Sequence, residues 1–463
     1  MSARDFLTPE EAGKLRFFLV DDQRVALQSL SICVQNMGAH LITKVGSFAD
    51  AIRHLRERSF DVVLCDYILG GGRSGQQLLE ELRRFGLLPD ETVFVMATAE
   101  QAYEQVISAV ELVPDDYILK PFSGEQLRLR IERAILKKRF FADVFRLRRE
   151  KDFDAAISRL ERLGAEKSAY GVDILRQKAE TYQTAGRPDK ARAIYEEIVR
   201  GFQYPWARIG IAQSFRVQEK YEQAKDLLEE VVRDAPNYLG AQDLQAQIAL
   251  DLGLPEEAAR ILEKLSARTP RNYVRKRQLA FAELANGRAE QALAVMSDVL
   301  ANDSVAGAVT EEDRQQTARA AIAANLPEEA AKVLGRFDPG LLGDLAPGDR
   351  IAHVAVGLRI GAEGAEDYFR AHREWIRDTE FKPLPTMDVV VSALQLGDRE
   401  LALAHTERLF QTGDIRQIFK AMHRTFVDAG LEEEFRALQK RVALQRAAAV
   451  RKPAGELSLS LQS

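Results

Sequence analysis

Two cysteines in 463 residues, Cys33 and Cys65, both inside apolar segments, leave nothing from which to build a disulfide framework or a thiolate zinc site. A reducing compartment is expected. The six histidines, His40, His54, His353, His372, His405 and His423, share no metal-ligand spacing and form no His-Glu-x-x-His pair, and neither a Gly-x-Ser-x-Gly elbow nor a phosphate-binding P-loop occurs. No stretch approaches the ~20 apolar residues of a membrane span, and the segment 1–9 lacks the apolar core of a signal peptide. A cytoplasmic protein without membrane insertion is expected. No polybasic block stands out, and a net charge of −5 with a pI of about 5.9 argues against direct nucleic-acid binding.

What is present starts with three short apolar runs that end in charge. Leu15 to Val20 is followed by Asp21-Asp22, Phe60 to Cys65 by Asp66, and Tyr117 to Leu119 by Lys120-Pro121. Ligands of a parallel sheet gather beyond the carboxyl ends of its strands, so runs closing in acid, acid and base bring carboxylates and an ammonium to one edge. Such an edge suits Mg²⁺ beside a phosphorylatable aspartate. At domain sizes of roughly 100 to 200 residues the chain holds at least two folding units. From Lys14 to Lys138 runs and helical patterns alternate, which predicts strands at 15–20, 41–45, 62–65, 92–97 and 117–119. Helices are expected near 24–37, 48–58, 75–85, 100–111 and from 123 onward. The fold class is therefore an α/β doubly wound five-strand parallel sheet over 14–138, followed by an all-α helical-repeat region.

These residues resemble the receiver domain of bacterial two-component response regulators, over about the first 135 positions. Asp21 and Asp22 match the metal-binding acidic pair, Asp66 the phosphoacceptor, Thr98 the switch hydroxyl, Tyr117 the switch aromatic and Lys120 the lysine before proline. An Asp-Asp pair alone is commonly a strand-end turn, and Thr98 alone a helix cap ahead of Glu100; the ordered combination carries the resemblance. It implies a Mg²⁺ shell of Asp21 or Asp22, the Asp66 carboxylate and the main-chain carbonyl of Ile68. It also implies Lys120 and Thr98 as partners of the phosphoryl oxygens, and a cis bond at Lys120-Pro121. The loop Tyr67 to Gly75 departs from the family, with three consecutive glycines and an apolar Ile68 two residues past the acceptor.

Beyond Lys138 the chain is almost wholly helical in pattern. Alanines at 191, 224, 258 and 292 recur at intervals of 33 or 34 residues, each inside a block that starts with Gly186, Glu219, Gly253 or Gly287. Ala179, Ala212, Ala246 and Ala280 each lie twelve before, and Pro236 and Pro270 twelve after. Period and positions resemble tetratricopeptide repeats. About eight or nine helix pairs are expected over 139–446, with 337–349 an irregular loop and 447–463 a disordered tail. Such arrays bind proteins on a concave face, and in the repeat frame Arg176, Gln213, Arg216, Asp243, Gln247, Arg277 and Phe281 point into it.

No Gly/Pro/Ser-rich linker interrupts 123–150, so the last receiver helix is expected to run rigidly into the first repeat. The resemblance implies a response regulator, not itself an enzyme beyond its own phosphoryl transfer. Its expected partners are a sensor histidine kinase or phosphotransfer protein and a protein held in the repeat groove. The alternative from another class is a scaffold or phosphate-sink adaptor whose repeats bind independently of phosphorylation; a phosphatase would need an acidic or amide residue presented from a repeat helix.

Overall fold

The structure, a computed structural model, describes residues 7–451 apart from 71–72, 85, 100–113, 166–168, 203, 237, 271, 302–308 and 414. A short helix α1 (Pro9–Lys14) precedes the alternating segment, which comprises β1 (Arg16–Val20), α2 (Arg24–Asn36), β2 (Leu41–Val45), α3 (Phe48–Glu57) and β3 (Val62–Asp66). It continues through β4 (Ile68–Leu69), β5 (Arg73–Ser74), α4 (Gly75–Arg84), β6 (Val93–Ala99), β7 (Asp116–Lys120) and α5 (Gly124–Arg149). The helix expected near 100–111 lies outside the described residues. Neither α1 nor the hairpin β4–β5, which occupies the glycine-rich loop, was anticipated from the sequence.

Five strands form one parallel sheet in the order β2-β1-β3-β6-β7. The order follows from right-handed crossovers that start at β1 and reverse direction once, which opens a crevice at the carboxyl ends of β1 and β3. Alternate residues of each strand face opposite sides. Phe17, Leu19, Val62, Leu64, Val93 and Val95 pack with α2 and α5, while Phe18, Val20, Val63, Cys65, Phe94 and Met96 pack with α3 and α4. Each such phenylalanine, valine or leucine contributes about 1.5–3 kcal/mol on burial, so the sheet is fixed from both faces before any polar group is considered.

One helix belongs to two cores. At its start the Ser123 side chain caps the Gln126 amide in a capping box. Leu127, Ile131, Ala134 and Ile135 of α5 complete the sheet's core. Further along the same 26 residues, Phe141, Val144 and Phe145 join Ala156, Leu160, Leu163 and Ile174 of the following helices. Ion pairs reinforce the junction: Arg149 to Glu91 at 2.7 Å, Lys138 to Asp115 at 2.9 Å and Lys137 to Asp173 at 2.5 Å. For this reason the chain does not divide at 138. Of its two compact units the first ends at Gln245 and the second begins at Ala246, inside helix Leu239–Asp251.

From 153 to 451 the described residues are helices paired as hairpins. The turn within each pair carries one residue in the left-handed region, at Lys151, Gly186, Glu219, Gly253, Gly287, Asn325, Gly361, Gly397 and Gly430. The spacing runs from 33 (186 to 219) to 38 (287 to 325) residues. At every one the next amide bonds back to a carbonyl five residues earlier, as in Arg187 to Tyr182 (2.9 Å) and Leu254 to Ala249 (2.8 Å), the pattern by which a left-handed residue satisfies the last helical carbonyls. Ala179, Ala191, Ala212, Ala224, Ala246, Ala258, Ala280 and Ala292 are all buried. Small side chains there let paired helices approach closely. Within 337–349 a single turn of 3-10 helix, Leu342–Asp344, precedes the helix that begins at Pro347, and the last helix, Glu432–Arg451, continues past 446. Among the described residues no helix is long and apolar enough to cross a membrane.

Candidate functional site

The crevice at the carboxyl edge of the sheet gathers the charges that the strand ends carry. Asp21 directly follows β1 and is fully buried; Asp66 ends β3 and is buried; Lys120 ends β7. Lys120 Nζ lies 2.9 Å from Asp21 Oδ2 and 3.0 Å from Asp66 Oδ1, so one ammonium bridges two carboxylates. The other Asp21 oxygen, Oδ1, accepts from the Gln23 amide at 2.9 Å, which orients the side chain at the start of α2. Asp22 is exposed beside it, and oxygen atoms of Asp21, Asp22 and Asp66 all lie within 4.8 Å of one another. A cluster of three carboxylates is the donor set of a hard, oxygen-preferring divalent cation, which takes one or two carboxylates and fills the remaining positions with carbonyls and water.

Burial raises the Asp66 carboxyl above its ordinary value; the hydrogen bond and charge of Lys120 pull the other way without cancelling it. Burial also works against the Lys120 ammonium, but its hydrogen bonds with Asp21 and Asp66 outweigh that and hold its proton more tightly than usual. The neighbouring Cys65 thiol is fully buried and pushed well up by burial, so it stays protonated and inert.

Thr98 is fully buried on β6, one position beyond Ala97, which is the register partner of Asp66. Tyr117, on β7 beside Met96, packs against the core shared with α3 and α4. Ile68 lies on β4, paired with Ser74, and is 60% exposed. The Lys120-Pro121 bond is cis.

Two glycines were missed in the sequence as parts of the site. A Cβ at Gly75 would collide with the Asp66 carbonyl oxygen, and one at Gly70 would come within 2.8 Å of an Asp22 carboxylate oxygen. The β4–β5 turn and the start of α4 can approach Asp22 and Asp66 this closely only because both lack a side chain. The glycine run after Asp66 was the available signal.

The residues expected to face a groove all fall on the first helix of a pair, and the structure treats them differently. Gln213, Arg216 and Gln247 are half-buried, and Asp243 is buried. Arg176 pairs with Glu180 at 2.9 Å and stacks its guanidinium over Trp206 at 4.7 Å. Arg277 does not offer a free guanidinium to a groove. It is buried and forked onto Asp313, with Nη2 2.7 Å from Oδ2, because helix Glu311–Ala323 packs directly over it. Phe281 is likewise covered, packed against apolar residues of the C-terminal helices.

Comparison with known proteins agrees with the geometry. Residues 17–132 match the response regulator receiver domain family. The chain is 31% identical over 123 residues to the phosphate regulon transcriptional regulatory protein PhoB of Escherichia coli (strain K12), covering 27% of this chain and 52% of PhoB. It is 35% identical over 120 residues to the probable transcriptional regulatory protein TcrX of Mycobacterium tuberculosis, covering 26% of this chain and 49% of that protein. Among solved structures, a response regulator receiver domain from Clostridium thermocellum aligns at 23% identity and a TM-score of 0.25, over 27% of this chain and 97% of its own. The chain thus spans about half the length of the curated relatives it matches. Its N-terminal part is a response regulator receiver domain, and the rest of the described chain is helical.

Proposed function

We propose that this chain is a cytoplasmic response regulator that accepts a phosphoryl group on Asp66 from the phosphohistidine of a sensor kinase or phosphotransfer protein, and signals through protein binding by its helical repeats. The observation that carries this reading is Lys120 bridging Asp66 and Asp21 beside a third carboxylate. An Asp66 oxygen attacks phosphorus, the P–N bond breaks with its electron pair returning to the imidazole, and an acyl phosphate results. Lys120 sits where it neutralises an added phosphoryl oxygen, and the Thr98 hydroxyl, one residue past the partner of Asp66, is the donor that can follow the phosphate. The residues fit Mg²⁺: Asp21, Asp22, Asp66 and the Ile68 carbonyl would hold it, and when bound it offsets phosphoryl charge.

The output rests on α5, which buries side chains in the receiver core and in the first helical hairpin. A shift around Thr98 and Tyr117 therefore reaches the helical region without a flexible linker. PhoB and TcrX are named as transcriptional regulators; the similarity to them is confined to the receiver, so the output of this chain is read from its own helices as protein binding rather than direct DNA contact. Acetyl phosphate should add one phosphate in Mg²⁺ and none in EDTA, and undiminished labelling of Asp66→Ala overturns the assignment. Partner capture compared between phosphorylated protein and Asp66→Ala tests the output. Equal capture favours the scaffold or phosphate-sink reading.

A further inference from the structure

The second compact unit contains a cavity of about 550 Å³ far in sequence from the receiver residues. Its walls come from five first helices of successive pairs, Tyr273–Ala285, Glu311–Ala323, Pro347–Arg359, Pro383–Gln395 and Ile415–Asp428. The row curls until its last member returns to its first. Gln417 Nε2 bonds Asp251 Oδ1 at 2.9 Å and Lys420 Nζ bonds Asn286 Oδ1 at 3.2 Å, contacts that span 166 and 134 residues of chain. The face that an open array would leave to a partner here lines a cavity open to solvent at Arg359, Arg424 and Asp428, which are exposed.

That space has two chemistries. Leu284, Ile322, Leu384, Met387, Val391 and Leu394 form an apolar lining. Against it stand Arg319, Arg359 and Arg424 with only two carboxylates, Asp388 and Asp428, so one positive charge has no counterpart. Arg319, 9% exposed, holds Asp388 through Nε at 2.7 Å, while its Nη2 is buried without a hydrogen-bond partner. Burial raises the Asp388 carboxyl above its ordinary value in spite of Arg319, which leaves the pair less able to neutralise itself. Asp428 lies 3.9 Å from Arg424, and Arg359 makes no ion pair among the described residues. A buried guanidinium with an unused donor, lining the same cavity as an exposed one without an ion pair, suits a planar, two-oxygen anion. The volume falls in the range of small-molecule sites, roughly 300–1,000 Å³.

We propose that this cavity binds a small monocarboxylate with an apolar body, its carboxylate held by Arg359 with Arg319 as second donor and its body against the apolar lining. The site is separate from the receiver reading, and Asp66 phosphorylation is expected to proceed whether or not it exists. The test is calorimetric titration of the full-length protein with dodecanoate, beside dodecanol and dodecyltrimethylammonium. One dodecanoate per chain is expected, about tenfold or more tighter than either control, the scale of a charge-assisted hydrogen bond. Arg359→Gln, at an exposed position, should weaken dodecanoate about tenfold and leave dodecanol unchanged. Val391→Trp should obstruct the apolar lining and weaken both dodecanoate and dodecanol. Absence of dodecanoate binding up to the millimolar range, equal affinity for the alcohol or the cation, or an unchanged Arg359→Gln overturns the proposal.

Discussion

Asp66 and Lys120 end strands that are not neighbours: β6 lies between β3 and β7, yet the two side chains meet at 3.0 Å. On β6 the register partner of Asp66 is Ala97 and that of Lys120 is Ala99, so the two strand ends are offset by two β6 residues. The contact places a cation directly on the Asp66 carboxylate and links it to the strand that leads into α5.

Removing that cation should be costly to the chemistry. Lys120→Gln is expected to slow acetyl phosphate labelling of Asp66 by roughly 10²-fold, the scale of deleting one charge-stabilising donor. Mass spectrometry of a time course reads it. A variant labelled at the wild-type rate contradicts the role given to Lys120.

Asp66→Asn should stabilise the protein in EDTA at neutral pH. The folded carboxyl titrates above its unfolded value near 3.9, so between those two values the folded state binds more protons and stability falls as pH rises through the folded pKa. The amide escapes this loss. Urea midpoints should therefore favour Asn at pH 7, and the advantage should shrink as pH is lowered through that window. A less stable Asn variant at pH 7 would reverse the sign.

Lys151 adopts φ 60° at a turn where six of the nine equivalents are glycine. A side chain in that region costs about 1 kcal/mol, and Lys151 is exposed, so nothing is lost with it. Lys151→Gly should gain about 1 kcal/mol in urea unfolding, partly offset by the greater freedom of glycine in the unfolded chain.

The buried fork between Arg277 and Asp313 should behave as a unit. Arg277→Met leaves a buried carboxylate without its cation and is expected to cost about 3 kcal/mol. Adding Asp313→Asn should cost little more, giving a coupling of about 1 kcal/mol or larger in a double-mutant cycle. Additive effects would mean that the pair does not hold the two helices together.

The receiver was legible because its information is local. Each strand is a short apolar run, each charged group of the site stands at a strand end, and a parallel sheet brings strand ends to one edge whatever else the chain does; Asp21, Asp66 and Lys120 needed only that rule. The turn positions were legible for the same reason. A helix must satisfy its last carbonyls, and Gly186, Gly253 and Gly287 mark where it does so, with Glu219 standing in the same column at φ 57°. What the tertiary structure alone decided is which helix faces meet. Arg277 reads as a groove residue from its place in the repeat, but Asp313, 36 residues on, claims it. The hairpin after Asp66, the compact unit that runs through α5 to Gln245, and the closure of Gln417 onto Asp251 rest on contacts between residues that share no local pattern. Repeat period sets how helices pair with their neighbours; how far the row curves, and what it encloses, depends on the packing angle summed over many pairs, which no single segment of the sequence carries.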